Sequence, residues 1–147
     1  MRAISMCTLL LAAACSGATG PELTALRDVG QLEGRWRMSA WEFVGQEHPG
    51  MRRDLVSEGV AATFRIHADG TFDATVTYQG QSDFASGSIV LVTRHRLRFG
   101  NLTAGPVYAY TYTGDRLVLV GEGAEELDLD GDGSPEDATE RATLDRT

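Results

Sequence analysis

The segment from Val60 to Tyr78 constrains this chain more than any other. Ala62, Phe64 and Ile66 fall on one face of its first half. Phe72, Ala74, Val76 and Tyr78 then alternate against Thr71, Asp73, Thr75 and Thr77. A period of two belongs to strands with one wet and one buried face. Asp69-Gly70 separates the runs, a pair suited to a type I′ turn because glycine accepts positive φ freely and aspartate nearly does. The stretch predicts an antiparallel hairpin. A lone hairpin is at best marginal in water, so other strands must cover its apolar face.

The rest of the chain supplies them. From Gly34, the residues Trp36, Met38 and Ala40 alternate against Arg35, Arg37 and Ser39. Trp41 and Phe43 break that parity, so either a bulge re-aims them or they form an apolar patch outside. Further strands are expected over Phe84 to Val92, His95 to Phe99, Val107 to Thr113, Arg116 to Val120 and Thr139 to Asp145. Gly80-Gln81 and Gly114-Asp115 supply turns. Glu22 to Gly30 reads as a helical turn or an irregular run, and Met51 to Gly59 as a loop or a short helix. About eight short strands at this spacing predict an all-β meander closed as a barrel or packed as a sandwich.

The N-terminus stands apart from this pattern. Met1-Arg2 is basic, Ala3 to Leu11 is largely apolar, and Ala12-Ala13-Ala14-Cys15 follows. The stretch is too short to span a bilayer and reads as a secretory leader. Small residues directly before a cysteine resemble the bacterial lipoprotein processing site, with Cys15 as the lipidated first residue; the alternative is an ordinary leader cut near Ala14. The only cysteines are Cys7 and Cys15, so the exported part has no thiol for an internal disulfide, and a lone exposed Cys15 favours the anchor. The expected organisation is a leader over 1–14, a lipidated cysteine and flexible tether over 15–31, and a domain over 32–147. Ser16 after the cysteine resembles the outer-membrane rather than inner-membrane sorting pattern of Gram-negative lipoproteins.

Charge sharpens the picture. All basic side chains are arginine, and nine of the 21 acids lie between Glu122 and Glu140 with no base among them. Elsewhere acids and arginines nearly balance. Without a dominant basic face, nucleic acid is not an expected partner.

The order of these signals resembles the small bacterial lipocalin-like domains. Gly34-Arg35-Trp36 matches the Gly-x-Trp motif of the first strand, Asp69-Gly70-Thr71-Phe72 the central hairpin, and Gly114-Asp115-Arg116-Leu117-Val118-Leu119 the late one. Arg146 stands where the last strand of such a domain carries an arginine. The resemblance covers Leu32 to Arg146 and lacks the family's Thr-Asp-Tyr-type second motif. It implies an eight-stranded antiparallel up-and-down barrel, with Arg146 packed across Trp36 to close one end beside Gly34. It also implies room for one small hydrophobic ligand. An eight-stranded barrel can instead be filled by its own side chains; the domain would then be a structural or interaction module, meeting a protein through the patch around Trp41 and Phe43.

The sharpest local motif is Asp128-Leu129-Asp130-Gly131-Asp132-Gly133-Ser134-Pro135-Glu136-Asp137. Acids at loop positions 1, 3, 5 and 9 with glycine at 6 follow calcium-loop spacing, because alternate residues of a tight loop converge on one centre. Ser134 would offer its backbone carbonyl. Thr139 replaces the usual final glutamate, and Asp137 or Glu140 is the candidate substitute. The flanks read as strands rather than helices, so Ca²⁺ here would be structural; the alternative is a solvated acidic loop. His48, His67 and His95 show no ligand spacing, and Arg94, Arg96 and Arg98 form either an anion site or a solvated face. No Gly-x-Ser-x-Gly elbow, His-Glu-x-x-His pair, phosphate loop or dinucleotide fingerprint occurs, so no enzymatic activity is expected.

Overall fold

The computed structural model describes residues 25–100 and 103–147. The expected leader, Cys15 and the first part of the tether lie outside the described residues. Among those described, ten strands form one sheet: β1 (Gly34–Gly45), β2 (Arg52–Asp54), β3 (Ala61–Ile66), β4 (Thr71–Tyr78), β5 (Gln81–Thr93), β6 (Arg96–Gly100), β7 (Val107–Tyr112), β8 (Arg116–Gly121), β9 (Glu125–Leu127) and β10 (Glu136–Arg146). Every pairing is antiparallel. Neighbours follow the chain, and β1 pairs with β10 to close the sheet on itself. The fold is therefore an eight-stranded up-and-down barrel of lipocalin-like architecture, with β2 and β9 as short extensions.

The central hairpin forms with Phe64 opposite Ala74 and Ile66 opposite Phe72. Gly70 at its turn has φ +84°, which glycine adopts without strain. The parity break in β1 is a bulge. The register with β10 slips between Met38 and Ala40, leaving Ser39 as the extra residue. Trp36 and Met38 point inward before the slip, and Trp41 and Phe43 take the inner face after it. Phe43 is buried and Trp41 half-buried, so no outside patch of these two rings exists.

Other departures from the expected pattern are local. Met51 to Gly59 contains β2 followed by a turn, and β6 begins at Arg96, leaving His95 in the preceding turn. Part of the described chain before Leu32 is packed: Leu26 is buried, and Val29–Leu32 forms a 3₁₀ turn across one end of the barrel. Tyr110 Oη accepts the Leu26 N–H at 2.9 Å. The tether boundary expected at residue 31 thus falls inside the packed domain.

Below that turn the core is dense. Leu32, Trp36, Ile66, Leu97, Leu117 and Leu144 are its largest fully buried side chains. A ladder of tilted rings, Phe64 to Phe72 to Phe99 to Tyr108, crosses the sheet at centroid separations of 6.0, 5.9 and 5.7 Å. Such spacings are those of favourable edge and offset ring contacts.

Candidate functional site

The two ends of the barrel are built differently. At the end under the 3₁₀ turn, the Arg146 guanidinium lies 4.4 Å from the Trp36 ring centroid. The same guanidinium donates to the backbone carbonyls of Gly114 (3.1 Å), Gln31 (3.0 Å) and Glu33. Trp36 Nε1–H donates to the Leu32 carbonyl at 2.7 Å, and Tyr112 Oη–H to that of Gln31 at 3.1 Å. These are carbonyls the 3₁₀ turn and the adjoining loops leave without strand partners. One fork-shaped cation ties three segments together, which a point charge on a flexible stem would not do. Gly34 sits at φ +137°, and a Cβ there would come within 2.7 Å of Arg146 Nη1. Gly34, Trp36 and Arg146 are therefore one packing unit.

Toward the other end the barrel is not filled. A cavity of about 160 Å³ is lined by Met38, Trp41, Ala62, Phe64, Val76, Phe99, Tyr108, Leu119, Glu140, Ala142 and Leu144. Its floor and walls are apolar, and the small side chains at Ala62 and Ala142 make the room. One charged group enters it. Glu140 shares the inward parity of Ala142 and Leu144 on β10, and its carboxylate accepts Trp41 Nε1–H at 2.8 Å through Oε1 and Tyr108 Oη–H at 2.7 Å through Oε2. Burial, and then the Glu140 carboxylate, push the Tyr108 phenol well above its ordinary range, so it stays a donor. Tyr110 and Tyr112 belong to the closed end instead, with their hydroxyls on the carbonyls of Arg94 and Gln31.

From the sequence Glu140 is a candidate substitute ligand for the acidic loop. The structure turns it into the barrel. A signal was available, since an acid at an inward position of the last strand, between Ala138 and Ala142, conflicts with a purely apolar interior.

The acidic loop is the connection between β9 and β10. Carboxylate oxygens of Asp128, Asp130, Asp132 and Glu136 all lie within 4.8 Å of one another. Asx-type bonds curl the loop: Asp128 accepts the N–H groups of Gly131 and Gly133, Asp130 that of Asp132, and Asp132 that of Ser134. Gly133 at φ +90° provides the sharp turn expected of position 6. Glu136 reaches back to the Leu129 N–H at 2.7 Å. Asp137 stands outside the group, because it follows Glu136 on β10, points to the opposite face and is exposed opposite Glu126. Four carboxylates without a nitrogen or sulfur donor are a hard-oxygen set, which suits Ca²⁺ or Mg²⁺ rather than zinc.

The remaining candidates disperse. His48, His67 and His95 fall in three separate connections, and His67 faces Asp73 at 3.0 Å. Arg94 and Arg96 are exposed; Arg96 pairs with Glu122 and holds that carboxyl below its usual range. Compared with known proteins, the chain matches no family model and no curated protein sequence.

Proposed function

We propose that this chain is a lipocalin-like binding protein of the bacterial envelope, which takes one small hydrophobic ligand in its barrel and is held to a membrane through Cys15. The observation that carries the reading is the one-sided cavity. A barrel serving only as a filled support has no use for apolar space bounded by Ala62 and Ala142, since each void forfeits packing contacts. A cavity of roughly 150 Å³ with mostly apolar walls has room for a benzene-sized guest. The ligand is accordingly a single ring or a short branched chain, not a long acyl chain.

The membrane part rests on the sequence from Met1 to Cys15. The outer membrane is the membrane that Ser16 favours. In this reading the β9–β10 loop holds a structural Ca²⁺ through Asp128, Asp130, Asp132 and Glu136, with Ser134 offering a carbonyl. The ion would neutralise the densest part of the acidic segment.

Titrating the protein with toluene while following the Trp41 indole N–H signal tests the cavity. Saturable shifts are expected, and Ala62→Leu, which fills the space, should abolish them while circular dichroism stays unchanged. Absence of any saturable shift in the unsubstituted protein rejects ligand binding. For the anchor, Cys15→Ala should move the protein from the membrane to the soluble fraction; retention there would reject lipidation.

A further inference from the structure

The polar group in the cavity says what kind of ligand the barrel would take. Glu140 is the one ionisable carboxylate among the cavity-lining residues. Each of its oxygens already accepts one hydrogen bond, from Trp41 or Tyr108, and each keeps a lone pair. Among the described residues no basic side chain forms an ion pair with it. A half-buried carboxylate without a counter-charge is costly unless something else supplies one. Neither donor can do so, because the indole is neutral and the Tyr108 phenol keeps its proton.

A groove that shares Tyr108 and Glu140 with the cavity is also acidic. It is lined by Pro106, Val107, Tyr108, Glu122, Glu125 and Glu140 among others, and it carries no basic residue. Arg96 pairs with Glu122 from outside, which leaves Glu125 and Glu140 to set the local field. A cleft with one sign of charge and apolar walls concentrates counter-ions and repels like charges. Fatty acids and other carboxylates are therefore disfavoured beside Glu140. A cation, by contrast, would meet the unused lone pairs of Glu140 with no like charge among the cavity-lining residues.

Resting on the binding reading above, we propose that the barrel selects small primary amines. The apolar body of the ligand sits against Ala62, Phe64 and Val76, and its ammonium donates to the free lone pairs of Glu140. Trp41 and Tyr108 orient the carboxylate and do not compete for the cation. Tyr108 also joins the site to the ring ladder of the sheet.

Toluene, benzylamine and benzoate share one ring and differ in charge, so they separate the two proposals. The readout is the pair of indole N–H resonances, Trp41 at the cavity and Trp36 at the closed end as internal reference. Benzylamine is expected to bind at least about tenfold more tightly than toluene, the gain of one charge-assisted hydrogen bond, with benzoate weaker than either. Glu140→Gln keeps the shape and one acceptor; it should bring benzylamine down to the affinity of toluene measured in the same variant. If toluene binds and benzylamine gains nothing, or if its gain survives in Glu140→Gln, selection for amines is overturned while the barrel remains a binding site. If no probe shifts Trp41, both proposals fall.

Discussion

Arg146 shows how a single side chain can do what a strand cannot. The carbonyls of Gln31, Glu33 and Gly114 belong to segments that approach the barrel end from different directions, and all three meet one guanidinium. Arg146→Ala removes these charge-assisted bonds and the stacking on Trp36 together. It is expected to lower the unfolding free energy by about 2–3 kcal/mol, since acceptors are left without donors at a half-buried site. Arg146→Lys should restore less than half of this, because an ammonium cannot match the fork. Urea unfolding of both variants measures the loss, and equal stability of Arg146→Ala and the natural protein would mean that solvent replaces the arginine at no cost. This residue and Trp36 were legible in the sequence through the resemblance of their motifs to a family. Glu140 was not legible in that way. Its parity pointed inward, but acids dominate the segment from Glu122 onward, and composition suggested solvent.

Among the elements, those with a full period of alternation were readable and the shortest were not. The β3–β4 hairpin, β7 and β8 follow their predicted positions closely. Strands β2 and β9 each hold three residues, too few to display a period, and they form because β1 and β10 run past the closed barrel and offer unpaired edges. The bulge at Ser39 could be foreseen only as one of two ways to place Trp41 and Phe43. The β9–β10 loop was readable because its carboxylate spacing is itself a geometric instruction. A loop of this kind on strand flanks should bind Ca²⁺ with a Kd on the order of 10⁻⁴–10⁻³ M. At about ten times that Kd, binding adds roughly 1.4 kcal/mol, which corresponds to a rise in Tm of about 4–7 °C for a domain of this size. Melting in Ca²⁺ against melting in chelator measures the shift. Asp130→Asn should remove most of it and raise the Tm in chelator slightly, by easing repulsion among the acids. An identical Tm in both buffers would leave the loop a solvated acidic turn.

At the scale of the whole molecule the barrel is asymmetric along its axis. One end is sealed by the 3₁₀ turn, Leu26 and the Trp36–Arg146 pair, and the cavity lies toward the other. The seal draws on residues before Leu32, which composition alone assigns to a tether because Ser16 to Pro21 has a spacer-like composition and no period marks where packing begins. A chain shortened to start at Leu32 tests this division. It loses the burial of Leu26, worth about 1.5–3 kcal/mol for a leucine side chain, and the N–H that Tyr110 accepts. It also loses the Gln31 carbonyl, which both Arg146 and Tyr112 use. Ordering the segment costs backbone entropy, so the net loss relative to a chain starting at Pro21 should be about 2 kcal/mol, read as a lower urea midpoint with a nearly unchanged slope. Because the cavity walls come from the strands, toluene affinity in the shortened chain should stay within about twofold wherever it remains folded. A large loss of affinity at undiminished stability would show that the seal shapes the cavity and would overturn the separation of the two ends.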